Sequence, residues 1–548
     1  MSMNKFGLFI NQHPWTSLGV VLIMLFGFQL LNIIYGFDLY DSGFHLVGYE
    51  NVFVASDCVT GNFALYLTNL IGGTLLYIFP NMGVYGFRIS GALLILWTIV
   101  VIFVTLKNEI PVIHLLLGSI LVIVGYVKLS YCLSNGILSC CLYAISFISL
   151  YKGLSRNNRL FVFVGGLVVG LNIFIRLPNV LGVGIVFVIL LHKKYIHKND
   201  TLDWGNSCLF LIGVGLGVII VMTIMMQLGH TAIFIRSISE LFFAAGGGGT
   251  HNVFWMLKIH FAFYLSAIIP LLVFYALIHI EKRVERMEKM LITIAFFIVS
   301  VLSIALYIYE TTWVYVIIWG FFASGCMICI LKNRDQLGLL ALFALYMLII
   351  EIYGSDYGVN HGSLPALLAA PVASMQLIDK KKMVFVCTFI MAVCWQVIRK
   401  GNFMDVGPIY LKTQQINIIE AKGIFTSKEK ADAINSTLLG IRPYVTNGDT
   451  MMCFPLAPMM NYLTHTRPAG GSCWIGEDGD FILPIEGTPK ILFNKTSFSG
   501  DNWYEVYKLD GKYGFDILSF IKCHRYCKIF ENDYFILFVP PVPVRNEI

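Results

Sequence analysis

Long apolar runs constrain this chain more than anything else in it. A helix that crosses a bilayer needs about 20 mostly apolar residues, and about thirteen stretches meet that criterion. They lie near 16–35, 86–106, 111–130, 134–151, 159–175, 178–192, 207–227, 256–279, 290–308, 313–331, 337–353, 361–378 and 383–398. With 57% hydrophobic and 13% charged residues over 548 positions, the chain is too apolar for a soluble protein of its size. The first run reads as a retained span, because the segment after it is aromatic and acidic and offers no small-residue cleavage site. The expected fold class is a polytopic α-helical membrane protein.

Basic residues orient such a chain, since cytoplasmic loops carry the Lys and Arg excess. Alternate loops hold them: Lys152, Arg156 and Arg159; Lys193, Lys194 and Lys198; Lys282, Arg283, Arg286 and Lys289; Lys332 and Arg334; Lys380, Lys381 and Lys382. The intervening loops carry few, with Arg176 and Arg236 the main exceptions. This phase predicts a cytoplasmic N-terminus and places everything beyond about residue 400 outside. The net charge of +6 reflects the inner loops and gives no reason to expect nucleic acid.

Composition changes near residue 400, which divides the chain into a transmembrane part, 1–399, and an extracytoplasmic domain, 400–548. In the latter, Ser427 to Gly440 reads as a helix with Ser427 as its N-cap. Met451–Phe454, Lys490–Phe493, Trp503–Leu509 and Tyr534–Val539 read as strands from their β-branched and aromatic content. A mixed α/β domain is expected. Cys453, Cys473, Cys523 and Cys527 lie where a disulfide is permitted. Cys326-Met-Ile-Cys329 sits in an apolar span and reads as packing rather than as a metal or redox pair. Gly213, Gly215 and Gly217 likewise suggest close helix packing.

Carboxylates are scarce here, so two of them just beyond the first span stand out. Asp38 and Asp41 lie in Gly36-Phe37-Asp38-Leu39-Tyr40-Asp41-Ser42-Gly43-Phe44-His45-Leu46, within the first external loop, 36–85. Ionisable groups are costly near hydrocarbon and persist where they touch ions, substrates or protons. One reading makes one carboxylate a general base that deprotonates an attacking hydroxyl or amine, while the other positions the acceptor or holds a divalent cation. The other reading makes Asp41 a cap for the helix that begins near Gly43. Further along the loop, Phe63 to Pro80 is apolar but broken by Asn69, Gly72 and Gly73. A span there would reverse every later loop, so an interfacial helix is expected.

This loop resembles the first external loop of GT-C glycosyltransferases, the group that includes protein O-mannosyltransferases and bacterial aminoarabinose transferases. Asp41-Ser-Gly-Phe-His-Leu is similar to their Asp-Glu-Gly-Tyr-Tyr-Leu type of motif. Leu65-Tyr66-Leu67, Gly72, Phe79-Pro80 and Arg88-Ile89-Ser90-Gly91-Ala92-Leu93-Leu94 follow in the family's order. Pro455 and Tyr462-Leu463-Thr464-His465-Thr466-Arg467-Pro468 are similar to a segment of the soluble domains of such enzymes. The chain departs from the pattern at Ser42, where the family places its second acid. The resemblance implies transfer of a sugar from a polyprenyl-phosphate carrier to a lipid, glycan or protein acceptor on the outer face of a membrane. It makes Asp41 the base with Asp38 in support.

Other polar groups on the same side are candidates for substrate contact. Arg88, Arg176 and Arg236 are candidate partners for a lipid phosphate, though each can also snorkel to headgroups. His45 is a further member of the first loop. The loop Ser239–Asn252 holds Glu240, four glycines at 246–249 and His251, and reads as a mobile lid, a phosphate-wrapping turn or a flexible connector. Asp356 and His361 stand in a glycine-broken loop. No cofactor motif is legible. A lipid-linked sugar transporter and a polysaccharide polymerase or ligase are the competing readings, and a bacterial cytoplasmic membrane is the expected location.

Overall fold

The computed structural model describes residues 9–126, 131–197, 201–246, 313–333, 335–353, 363–378, 383–402, 405–473, 488–497, 504–505 and 515–541, with scattered positions between 257 and 298. Its helices are α1 (Pro14–Ile34), α2 (Asp41–Asn51), α3 (Tyr66–Ile78), α4 (Gly83–Leu106), α5 (Val112–Tyr126), α6 (Asn135–Ser155), α7 (Arg159–Asn172), α8 (Val186–His197), α9 (Trp204–Gln227), α10 (Thr231–Gly246), α11 (Trp313–Lys332), α12 (Gln336–Ile350), α13 (Ala369–Leu377) and α14 (Met383–Lys400). The C-terminal region adds α15 (Lys428–Ile441), α16 (Pro458–Thr464) and α17 (Phe515–Cys523).

Among the described residues, six helical segments are long and apolar enough to cross a membrane. They are α1, α4, α6, α9, Leu177–Ile196 and Tyr315–Lys332, with α5, α7 and α12 as shorter apolar helices. The expected spans near 256–279 and 290–308 fall largely outside the described residues. The expected span at 361–378 is short in the structure: α13 has nine residues, a rise of about 14 Å. The apolar stretch of α6 is 83% buried, which makes it the centre of the bundle. Glycines let two neighbours meet backbone to backbone: a Cβ on Gly166 would lie 2.1 Å from the Phe210 carbonyl oxygen, and one on Gly217 2.5 Å from that of Leu167. Gly213 packs against the same helix, whereas Gly215 points to open space, as the turn of α9 requires.

The loop expected to hold an interfacial helix folds as a 3-10 segment, Ser56–Leu65, followed by α3. Tyr49 packs over Gly72, and Val52 and Phe53 over Gly73, so these glycines admit α2 against α3. Tyr77, Ile78 and Phe79, at the end of α3, are exposed, as suits an element lying on a bilayer.

The C-terminal region forms a five-stranded sheet from β1 (Thr450–Phe454), β2 (Arg467–Pro468), β3 (Lys490–Asn494), β4 (Cys527–Glu531) and β5 (Phe535–Val539), in the order β4-β5-β3-β1-β2. β1 runs parallel to β2 and β3, and the other pairings are antiparallel. Strand periodicity sends alternate residues to opposite faces. Met451, Cys453, Leu492 and Leu537 join a core shared with Phe37, Leu46, Tyr49 and Phe63 of the first loop. Met452, Phe454, Ile491, Phe493 and Phe538 pack instead with Ile517 and Ile521 of α17. One face of the sheet therefore rests on the loop that carries the two aspartates. Ser427 caps α15 by accepting from the Lys430 N–H at 3.3 Å.

Candidate active site

The chain leaves α1 at Gly36, whose φ of +92° needs no Cβ, and enters α2 five residues later. Four backbone polar groups of this crossing are held by distant partners. The Gly36 N–H donates to the Phe425 carbonyl at 2.8 Å. The Gly36 carbonyl accepts from Arg88 Nη1 at 2.8 Å. The Phe37 N–H donates to Asp405 Oδ2 at 2.8 Å, and the Leu39 carbonyl accepts from the Met459 N–H at 3.1 Å. Three of these four partners come from the C-terminal region. Sequence neighbours alone do not build this turn.

The two aspartates have different environments. Asp38 is 1% exposed, and its two carboxylate oxygens accept from the Tyr40 and Ser42 N–H groups, both at 2.7 Å. It is the cap of α2, satisfying N–H groups that the helix leaves open. The sequence offered Asp41 for that task. Asp41 is instead the first residue of α2 and is exposed. Of the two, Asp41 is the carboxylate that a substrate can reach.

Around Asp38 lies a buried charge cluster: Arg88, Asp405, Lys412 and Lys430, each 5% exposed or less. Asp405 pairs with Lys412 and Lys430, each at 3.6 Å, and accepts from Thr426 Oγ1 at 2.6 Å. Burial alone would raise Asp405, yet Lys430 and Lys412 hold it below the usual carboxylate range. Burial pushes Lys412 down to about 8 and Lys430 down as well, against the pull of Asp405. Arg88 donates through Nη1 to the carbonyls of Asn32 and Ile33 as well as Gly36. It closes the C-terminus of α1, where a cation suits the helix dipole. Among the described residues its Nε and Nη2 meet no hydrogen-bond partner.

The other candidates fall in separate places. His45, one turn beyond Asp41, is buried with its ring stacked on Tyr49, and burial lowers it to about 4. It is a neutral imidazole at neutral pH and contributes no positive charge to the site. Arg176 does not snorkel: it is 8% exposed and pairs with Glu351 Oε1 at 3.1 Å. Its Nε donates to Asn179 Oδ1 at 3.2 Å, and Ser139 Oγ donates to Glu351 Oε2 at 2.8 Å. Arg236 and Glu240 pair with each other at 2.8 Å on an exposed face of α10. His251, Asp356, His361 and the glycines at 247–249 lie outside the described residues.

Several partners escaped the sequence reading. Glu351 is a carboxylate at the end of an apolar run, and Arg176 is one of the few cations in the loops between the Lys- and Arg-rich ones, so the pair had a compositional signal. Asp405, Lys412 and Lys430 had none, being ordinary charges in a polar region. Among the described residues, no three or more His, Cys, Asp or Glu side chains are placed to hold a metal ion. Each Asp38 oxygen already accepts one backbone N–H.

No protein-family model matches the chain, and no characterised protein matches it in sequence. By structure it is similar to the oligosaccharyltransferase of Archaeoglobus fulgidus, solved in complex with zinc and sulfate, with a TM-score of 0.46 and 11% identity over 87% of this chain and 68% of that one. It is also similar to ArnT from Cupriavidus metallidurans. The form bound to undecaprenyl phosphate gives a TM-score of 0.45 and 10% identity over 97% and 99% of the two chains. The apo form gives 0.44 and 11% over 96% and 98%.

Proposed function

We propose that this chain is a membrane glycosyltransferase of GT-C type that moves a sugar from a polyprenyl-phosphate carrier to an acceptor on the extracytoplasmic face. The observation that carries this reading is the division of labour in the first loop. Asp38 is consumed in capping α2, while Asp41 is exposed at the head of that helix, in the motif that resembles the family. A bilayer-borne donor suits a site beside the outer ends of α1 and α4.

In the proposed reaction Asp41 takes the proton from an acceptor hydroxyl or amine as that atom bonds to the anomeric carbon. The bond from that carbon to the phosphate oxygen breaks, and the carrier leaves as polyprenyl phosphate. General-base catalysis of this kind is worth about 100- to 10,000-fold. Rigid support matters as much, because catalysis falls steeply when reacting groups are misplaced by about 1 Å. The bonds that clamp residues 36–42 supply such support. Arg236 is better placed than Arg176 for a donor phosphate: its pair with Glu240 is exposed and open to exchange, whereas the Arg176–Glu351 pair is buried. The C-terminal region, 400–548, would shape the acceptor groove above the loop.

Purified protein in liposomes, supplied with a lipid extract that contains polyprenyl-linked sugars, should consume the linked sugar and release polyprenyl phosphate. Redistribution of the intact sugar lipid between leaflets without consumption would favour a flippase. Orientation has its own check. An alkaline phosphatase fused at Ile548 should be active outside the cytoplasm, and one inserted at Lys282 should be silent. The reverse pattern would put Asp41 on the wrong side.

A further inference from the structure

His465 ends α16 in the left-handed region, with φ +50°, a conformation that side chains rarely adopt and that helix ends usually fill with Gly or Asn. Its ring lies between two carboxylates. Nδ1 meets Glu50 Oε1 at 2.5 Å, and Nε2 meets Glu420 Oε1 at 2.9 Å. Hydrogen bonds to Glu420 and Glu50 raise the imidazole to about 10, so it is a cation at neutral pH. The carboxylates sit at opposite ring nitrogens, so no single metal ion could touch all three groups.

The three residues belong to three elements. Glu50 is in the last turn of α2, Glu420 is in a 3-10 turn of the C-terminal region, and His465 follows α16. The turn bearing Glu420 also presses on the entry to α4, where a Cβ on Gly83 would fall 2.6 Å from the Glu420 carbonyl oxygen. At the other end of α2, Gly43 abuts the Met459 backbone so closely that a Cβ would lie 2.2 Å from its nitrogen. The helix that begins with Asp41 is thus pinned to α16 at both ends. One end is held by close packing and the Leu39–Met459 bond, and the other by a single imidazolium.

We propose that His465 is a positioning residue for Asp41: it latches α2 to the C-terminal region through Glu50 and Glu420, and so holds the head of α2 in its working orientation. The proposal rests on the reading of Asp41 as the base. Glu50 is nine residues along the helix from Asp41, about 14 Å, so His465 acts through the rigid body of α2 without touching substrate. Removing it would leave two partly buried carboxylates facing each other. Each already has its Oε2 buried without a described partner. Like charges at such a spacing repel, and the direction of that repulsion is to lift α2 away from the C-terminal region.

The test is His465→Gly, which removes the side chain and also relieves the strained φ, so that the backbone at this position adds no penalty of its own. Two readouts are taken on the full-length protein in liposomes: deuterium uptake over residues 41–51, and initial rates of release of polyprenyl phosphate from a titrated lipid extract. The latch predicts uptake at least about tenfold faster in α2, with kcat lowered by about tenfold to 100-fold and KM for the sugar lipid unchanged. Glu50→Gln, which keeps size but loses charge, should move both in the same direction by less.

Unchanged uptake overturns the latch. Faster uptake with unchanged kcat overturns the positioning role, and so does a raised KM with unchanged kcat, which would mean that His465 contacts substrate. Asp41→Asn is measured alongside. Full activity in that variant would sink the base reading, while the exchange data would still decide whether His465 latches α2.

Discussion

Replacing Asp41 by asparagine should lower sugar transfer by about 100- to 10,000-fold, the range general-base catalysis supplies, while leaving the protein folded. The side chain is exposed at the first position of α2 and keeps its size in the variant, so the expected change in stability is small. Asp38→Asn has the opposite profile. The native carboxylate accepts two N–H groups with two oxygens, whereas an amide offers one oxygen and turns an N–H donor toward the other. The lost bond and the unsatisfied N–H should cost about 1–3 kcal/mol. Thermal unfolding in detergent and transfer kinetics on both variants separate these outcomes. An active Asp41→Asn protein beside a well-folded, inactive Asp38→Asn protein would reverse the assignment of base and cap.

Asp405→Ala should be the most damaging single change to stability, at about 3–5 kcal/mol, the usual consequence of removing one partner from a buried ion pair. It would leave Lys412, Lys430 and Arg88 facing Asp38 alone, in a region 5% exposed or less. It would also free the Phe37 N–H and the Thr426 hydroxyl. Poor accumulation in the membrane is one expected sign, and a lowered unfolding temperature is the quantitative one. Restoring balance by adding Lys430→Met should recover part of the loss, because a neutral apolar group then replaces an unpaired cation. No recovery in the double variant would argue that Asp405 acts mainly by holding the Phe37 backbone.

Much of the fold was legible because its signals are local. A run of about 20 apolar residues announces itself wherever it stands, and α1, α4 and α9 match their expected stretches closely. The strands at Thr450–Phe454, Lys490–Asn494 and Phe535–Val539 were readable as continuous apolar runs, since both of their faces are covered. Cys527–Glu531 was missed: it is an edge strand with no buried residue, and its composition looks like a loop. Of the expected strand Trp503–Leu509, the structure describes Tyr504–Glu505, paired with Thr496–Ser497.

The candidate site divides along the same line. By itself the sequence determined that two aspartates would stand at the mouth of the first span and that a helix would begin beside them, because chain distance is enough to place a cap near the helix it serves. Which aspartate would be buried and which exposed was decided by the tertiary structure. Asp405 reaches the Phe37 N–H from 368 positions away, and Lys430 and His465 arrive on the α/β region that folds over the loop. A buried charge needs compensation from whatever packs against it, and packing partners at such separations leave no trace in the residues around Asp38 and Asp41.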